Sequence, residues 1–318
     1  MGNPTMSDVH VNRPLTNLSV AYLQDTNEFV AGKVFPNIPV EKASDTYFEY
    51  PKNQWFRSDA QRRAPSTESA GTGYGVTTGS YSIGDPLALH KDVADRLREN
   101  QDQPLDLDKE ATLIVTHQLL LKRELEWATK YFGKSIWSGV SDASPTTKWD
   151  ASSSTPIALL RETLQGIKSK TGRRGNTVVL AEDTWNALQD NADFLDRIAF
   201  TQTKIVTTDL LAGVLQVDKV VIAGAIQNTA TEEATPAMAS IFSGGCLVMH
   251  VAPNPGIMTP SAGYTFSLRS LFGAGNDGLR IKRFRMEPIA SDRVEGEIAY
   301  DQKIVATDLG AFIYDCLT

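Results

Sequence analysis

The side chains that most often do chemistry are scattered along this chain. Its four histidines, His10, His90, His117 and His250, stand far apart, and none lies in a His-Glu-x-x-His or His/Cys pattern with metal-ligand spacing. His117 falls inside a long helical pattern and reads as an ordinary packed or hydrogen-bonded histidine. Gly71, Gly73 and Gly75 have the look of a phosphate loop, but the Lys-Ser/Thr of a Walker A sequence is missing and no helix begins after them. They read as a flexible loop tip. Cys246 has only His250 nearby, and on a strand residues four apart sit about 13 Å from one another, too far for a nucleophile and its base. Glu232-Glu233 and Glu295/Glu297 carry nothing that specifies a catalytic pair. These observations assign no catalytic, cofactor-binding or metal-ligating residue, and the expectation is a protein that is not an enzyme and needs no cofactor. One cluster remains: Arg57, Arg62 and Arg63, at the end of an aromatic strand, where guanidinium groups suit bidentate contact with carboxylate or phosphate. A solvated loop and an intersubunit contact both account for it, and the contact is the candidate site.

At 318 residues the chain is long enough for two or three compact units. Thirty-one Lys and Arg against thirty-eight Asp and Glu give a formal charge of -7, the wrong sign for neutralising phosphates over a broad surface. Cys246 and Cys316 are the only cysteines, so a disulfide framework is not expected, and both read as small buried residues in a reducing compartment. The start lacks an apolar run for a signal peptide, and no stretch of 18 apolar residues occurs, so no membrane partner is expected.

The elements that must position the arginines read as follows. Met1 to Val40, with Pro4, Pro14, Pro36 and Pro39, reads as an extended arm that needs another surface to lie on. Tyr47, Phe48, Tyr50, Trp55 and Phe56 suggest a strand, followed by a Gly/Ser/Thr-rich tract from Ala64 to Gly84. Together they predict a long two-stranded ribbon, which is at best marginally stable alone. A long helix follows Pro104, with Asp106 and Asp108 at its start and Gly133 as its stop. Its expected apolar stripe is Leu107, Ala111, Ile114, Leu121, Leu125, Ala128 and Phe132, interrupted by Gln118. Thr155-Pro156 opens a second helix with Ile157, Leu160, Leu164 and Ile167 on one face and Gly172 at its end. The pattern then becomes α/β: strand NTVVLA, one helix from Glu182 to Ile198, a short helix TTDLLAGVL and strand DKVVIAG. The remainder reads mainly as strand, with alternation at Leu279, Ile281, Phe284 and Met286 and again at Val294, Ile298 and Tyr300.

This order of segments resembles the Hong Kong phage-type capsid fold of tailed-phage major capsid proteins, which encapsulin shells share. The stretch NLSVAYLQDTNEFVAGKVFPNIPVEKASDTYFEYPK resembles the arm and the entry to the family's extended E-loop, and LDKEATLIVTHQLLLKRELEWATKYF resembles its spine helix. VVLAEDTWNALQDNADFLDRI, VDKVVIAGA and CLVMHV resemble the axial domain. The resemblance implies an α+β chain with an N-terminal arm at 1–40, an E-loop at 41–93, the spine helix and first part of a peripheral domain at 94–175, an axial domain at 176–275, and return strands of the peripheral domain at 276–318. It implies a homo-oligomer of hexamers and pentamers that forms an icosahedral virion shell, assembled in the host bacterial cytoplasm around double-stranded DNA without sequence-specific binding. Because the chain begins directly with the arm, a separate scaffolding protein is expected, with a portal and room for a decoration protein. An encapsulin-like nanocompartment shell is the nearest alternative, and a soluble α/β enzyme the more distant one. Lys52 lies in the expected E-loop, but without a partner motif the lysine cross-linking of some family members is not carried over.

Overall fold

The fold is described from a computed structural model covering residues 24–101, 105–198, 206–232, 234–256, 258–269 and 278–318. Most of the expected arm, 1–23, lies outside this range. Elements are numbered in chain order. After a 3-10 turn at Thr26–Glu28, the short helix α1 (Ala31–Val34) and its flanks bury Phe29, Val30, Val34 and Phe35. This end of the expected arm is therefore core, because FVAGKVF supplies bulky apolar side chains between the prolines. Strand β1 (Asn37–Val40) follows, then β2 (Ser44–Glu49), the helical turn α2 (Lys52–Trp55), β3 (Thr77–Ser82), β4 (Leu87–Ala94) and α3 (Asp95–Glu99). β2 and β3 pair antiparallel, Ser44 opposite Ser82 and Glu49 opposite Thr77, and form the ribbon.

The long helix α4 (Leu107–Tyr131) starts where Asp106 accepts a hydrogen bond from the Lys109 amide at 3.1 Å. Its buried row is Ala111, Val115, Leu119, Arg123, Trp127 and Tyr131, joined by Glu124 and Ala128. The expected stripe is right at Ala111 and Ala128 but not at Ile114, which is 41% exposed; Leu121 and Leu125 are only partly buried. Each four-residue step advances about 40° beyond a full turn, so the true row winds slowly round the helix. It does so because the supports differ along its length: Ala111 meets Val93 and Val294, Val115 and Leu119 meet Ile298, and Trp127 joins Phe35 and Phe242. A strict heptad cannot follow a face that turns.

Helix α5 (Pro156–Thr171) matches its expected limits, and Ile157, Leu160, Leu164 and Ile167 are all fully buried. Gly172 ends it at φ +70°, a left-handed conformation that glycine adopts without strain. Then come β5 (Thr177–Ala181), α6 (Glu182–Gln189), α7 (Ala192–Ile198), α8 (Thr208–Leu215), β6 (Lys219–Ala223), β7 (Ile226–Asn228), β8 (Met238–Ser240) and β9 (Cys246–Met249). The single helix expected over 182–198 is broken by Asn191. Its buried amide donates to the Trp149 carbonyl at 2.9 Å and the Ser154 hydroxyl at 2.7 Å, and its oxygen receives the Asp193 amide at 3.0 Å, an N-cap for α7. The chain finishes with β10 (Gly263–Leu268), β11 (Leu279–Met286), β12 (Ser291–Ile298), β13 (Tyr300–Ile304) and β14 (Gly310–Ile313).

Two three-stranded sheets, β1-β10-β13 and β11-β12-β4, and a four-stranded sheet, β14-β9-β5-β6, organise the described residues. In the last, the strand period of two divides neighbours between opposite faces. Val179, Ala181, Leu247, Met249 and Phe312 enter one core with α1 and the end of α4, whereas Val178, Leu180, Cys246, Val248, Ala311 and Ile313 enter a second with α5, α6 and α8. In β11, an edge strand, Ile281 and Phe284 are exposed, a correction to the expected inward alternation there; Val294 and Ile298 of β12 are buried against α4.

Trp127→Ala is expected to lower stability by about 3–5 kcal/mol, as large-to-small changes at fully buried aromatic sites do, while Ile114→Ala shifts it by less than about 1 kcal/mol. Denaturant unfolding of the two variants checks this, and equal losses would mean that the buried face of α4 lies elsewhere.

Candidate assembly surfaces

The side chains with chemical potential do not converge. Cys246 is fully buried, and its thiol is pushed well above the usual range by burial; Cys316 is likewise pushed up to about 12 by burial. His250 lies beyond the other end of β9 and pairs its Nδ1 with the Arg174 carbonyl at 2.9 Å. His117 is partly buried on α4, its ring 5.9 Å from Phe29, and burial lowers its pKa. Glu297 is taken by Arg280 at 2.6 Å and Lys282 at 2.9 Å. Gly71 and Gly73 face open space, and the Gly75 amide donates to the Gln54 side chain. His10 and Glu233 lie outside the described residues. Among those described, no three His, Cys, Asp or Glu side chains gather as metal ligands.

The ribbon has a firm root and an exposed tip. At the root, Tyr81 stacks on Phe266 of β10 at 4.6 Å and Tyr47 on the same ring at 5.9 Å, and the Ser82 amide donates to Asp301 at 2.9 Å. Beyond β2 the expected aromatic strand gives way to α2, so Trp55 and Phe56 belong to a turn and the arginines follow it. Trp55 leans on Tyr50 at 6.2 Å and Tyr74 at 5.5 Å, a small aromatic cluster that links the two sides of the excursion. Phe48 and Phe56 are each 68% exposed. Among the described residues the excursion touches the body of the same chain where Lys52 pairs with Asp308 and where the Phe56 ring lies against Gly172.

The three arginines part company within the excursion. Arg57 grips Asp59 through two hydrogen bonds of 2.6 and 2.9 Å, and this arginine, with Thr72, holds the Asp59 carboxyl below its usual range. Arg63 donates to the Thr67 carbonyl. Arg62 is exposed, with no partner among the described residues.

A surface that sequence reasoning missed is an ionic lattice over the sheet β11-β12-β4. Register places Arg285 opposite Asp292 and Arg293 opposite Asp92. Arg98 of α3 bridges Asp108 and Asp292, each at 2.9 Å; Arg283 reaches the same two carboxylates at 3.1 and 2.7 Å; Arg285 grips Asp95 at 2.6 Å. The lattice ties the start of α4 to the strands beneath it. Its signal, alternating acids and arginines over distant segments, becomes readable only once the register is known.

No protein-family model matches the chain. Over 224 residues it is 25% identical to the major capsid protein of Burkholderia phage BcepMu, covering 68% of this chain and 69% of that one. Its fold matches the crystal structure of a phage-related protein from Bordetella bronchiseptica with a TM-score of 0.71, 17% identity and coverage of 92% and 94%. The capsid of cyanophage P-SCSP1u matches at 0.58, with 12% identity over 93% and 90%. The SrpI encapsulin of Synechococcus elongatus also matches at 0.58, with 10% identity over 95% and 93%. In sequence and in fold the chain resembles the tailed-phage major capsid proteins of the Hong Kong phage type. This likeness supports a structural subunit of a homo-oligomeric shell with its place in the virion capsid. Phe48 and Phe56 stay bare because a two-stranded ribbon has too little surface to cover them itself.

The lattice couples the stability of the fold to pH. Hydrogen bonding to Arg293, Arg285 and Arg283 holds Asp92, Asp95 and Asp292, respectively, below the ordinary carboxylate value of 3.8. The folded chain thus binds fewer protons here than the unfolded one, so this contribution is complete above the unfolded pKa and disappears as pH falls through the lower folded values. Asp92→Asn is expected to lower the melting temperature at pH 7 and to make progressively less difference down to pH 3. Thermal melts across that range check it, and a difference independent of pH would remove Asp92 from the account.

Proposed function

We propose that this major capsid protein builds the icosahedral head of a tailed phage as hexamers and pentamers enclosing double-stranded DNA. The observation that carries the reading is the sequence relationship to a phage major capsid protein across two thirds of the chain, joined to a fold match over nearly all of the described length. An encapsulin shares the fold, but nothing favours a nanocompartment over a phage head. Within this reading, residues 1–40 act as the arm, its last part from Phe29 onward anchored in the core, 41–93 as the E-loop, 94–175 as the spine helix and first peripheral part, 176–275 as the axial domain and 276–318 as the returning peripheral strands. Assembly takes place in the host bacterial cytoplasm with a separate scaffolding protein and a portal, and a decoration protein is compatible with the shell. The net charge of -7 suits a container that holds DNA without gripping its sequence. No role as a catalyst is assigned.

The full chain, alone or with its scaffold, is expected to sediment as a concentration-dependent oligomer and to give shells, tubes or hexamers in negative-stain micrographs. A species that stays monomeric at high concentration in both settings would sink the proposal.

Arg57, Arg62 and Arg63 are proposed to meet acidic residues of a neighbouring subunit across the E-loop. Arg57 and Arg63 already have partners within the loop, so Arg62 supplies most of the free charge. Reversing all three to Glu is expected to leave the melting temperature nearly unchanged, because exposed pairs contribute little, and to weaken assembly in a salt-dependent way. Arg62→Glu alone is expected to reproduce most of the loss. Wild-type critical concentrations at low and high salt would leave these arginines merely solvated.

A further inference from the structure

The four-stranded sheet leaves cations without an ion-pair partner at one end and carboxylates without one at the other, where Lys134 and Lys148 are both engaged on Asp315. Register fixes which residues share an end: Thr177 lies opposite Lys219 and Met249 at one, and Ala181 lies opposite Ala223 at the other, about 13 Å away. At the first end, α5 runs out through KSKTGRRG, residues 168–175, leaving Lys168, Lys170 and Arg173 exposed. Arg174 is turned inward to the Leu215 carbonyl at 2.7 Å, and Lys170 donates to the Ser138 carbonyl at 2.9 Å. The acids at this end are occupied: Asp218 accepts from Asn176 at 3.0 Å, and Asp308 takes Lys52 and the Ser138 hydroxyl. Lys168 and Arg173 are cations without a partner among the described residues.

At the opposite end Glu182 opens α6, and Glu28 lies beside it, both carboxylates closing over Gly224. Asp183 is turned inward to the Gly244 amide at 2.9 Å, and Lys33 is used on the Asn27 carbonyl. Glu28 and Glu182 have no ion-pair partner among the described residues.

We propose that this polarity is a head-to-tail contact between copies of the chain, the Lys168/Arg173 end of one sheet seating against the Glu28/Glu182 end of the next. The two ends cannot satisfy each other within a subunit. A heterologous contact satisfies both at once, and where the rotation closes it generates a ring. A second copy is the fitting partner because the chain is a shell subunit that carries both complements, and because complementary charge sets the register of such contacts. A nucleic acid would use the basic end alone and leave the acidic end unexplained. The inference rests on the capsid reading.

The test uses two double variants of the full chain, Lys168→Glu with Arg173→Glu, and Glu28→Lys with Glu182→Lys, under conditions in which the unmodified chain assembles. Each variant is expected to keep the wild-type circular dichroism and to raise the critical concentration at least about tenfold, a change of 1.4 kcal/mol per contact. Mixed in equal amounts they should assemble again, because each supplies what the other lacks. Strict alternation closes only in even-membered rings, so the mixture should yield hexamers, sheets or tubes rather than closed shells. The fourfold variant, with polarity inverted, should restore shells; should it misfold, the mixture decides. Wild-type assembly of either double variant, or a mixture that stays unassembled, overturns the inference while the capsid reading stands. The capsid reading itself falls only if the unmodified chain does not assemble.

Discussion

A carboxylate buried in the middle of the long helix is the constraint on which much of the molecule depends. Glu124 is almost fully buried and accepts the amides of Val30 and Ala31 at 2.7 and 2.9 Å, from a segment 94 and 93 positions earlier in the chain. Burial pushes its pKa up, and the two amides, with Arg123 beside them, pull it back toward the charged form. Those amides begin a one-turn helix and have no acceptor of their own, so the carboxylate satisfies donors whose exposure to an apolar interior would otherwise be costly. The consequences run outward. Fixing residues 29–35 sets the Phe35 ring edge-on to Trp127 at 5.7 Å and against Tyr131 at 5.0 Å. The following carbonyl, of Pro36, receives the Thr265 amide at 3.0 Å, which begins the parallel pairing of β1 with β10. β10 in turn carries Phe266, the ring on which the ribbon is rooted.

The four-stranded sheet is the second organiser. A strand that faces water alternates apolar with polar residues, whereas β5 is buried at all five positions because a core lies on each face. Each residue along it therefore belongs to a different packing problem from its neighbours. Val179 serves the core shared with α1 and α4, and Val178 and Leu180 serve the core built with α5 and α8. The sheet joins the long helix to the α/β part of the chain without needing a disulfide, and Cys246 and Cys316 are free thiols within the second core.

What was legible in the sequence was local. α5 could be read closely because Pro156 and Gly172 mark its ends and its apolar face keeps one partner direction. β5 and β6 were legible as short β-branched runs, and the ribbon as a composition too poor in aliphatic residues for a core. What failed depended on distant partners. The buried face of α4 turns because three different supports meet it in succession, and no periodicity within the helix records that. Nothing in the sequence singles out Glu124, since its amide partners lie in a segment that reads as an arm. Trp55 and Phe56 fit a strand by type, but Pro51 and the turn after it take them out of the ladder. The lattice of Arg98, Arg283, Arg285 and Arg293 needs the pairing of β4, β11 and β12 before its charges become neighbours. The candidate arginines were found by clustering, but clustering could not say that Arg57 and Arg63 are engaged locally and that Arg62 has no partner among the described residues.

The contrast between the root and the tip of the ribbon gives the assembly reading its physical logic. The root is held by stacked aromatic rings, a buried Tyr81 and a hydrogen bond into β13, contacts that are lost only if the sheet β1-β10-β13 opens. The tip is held to its own body by one exposed ion pair and one exposed ring, and surface pairs of this kind contribute about 0–1 kcal/mol. Exchanging those contacts for a neighbour's surface costs the subunit little, while burying two phenylalanine rings returns roughly 1.5–3 kcal/mol for each that becomes fully covered. The balance therefore favours the tip on another copy whenever one is within reach, and favours its own body when none is. A subunit built this way gains most from its neighbours at the part of the chain that it holds least firmly.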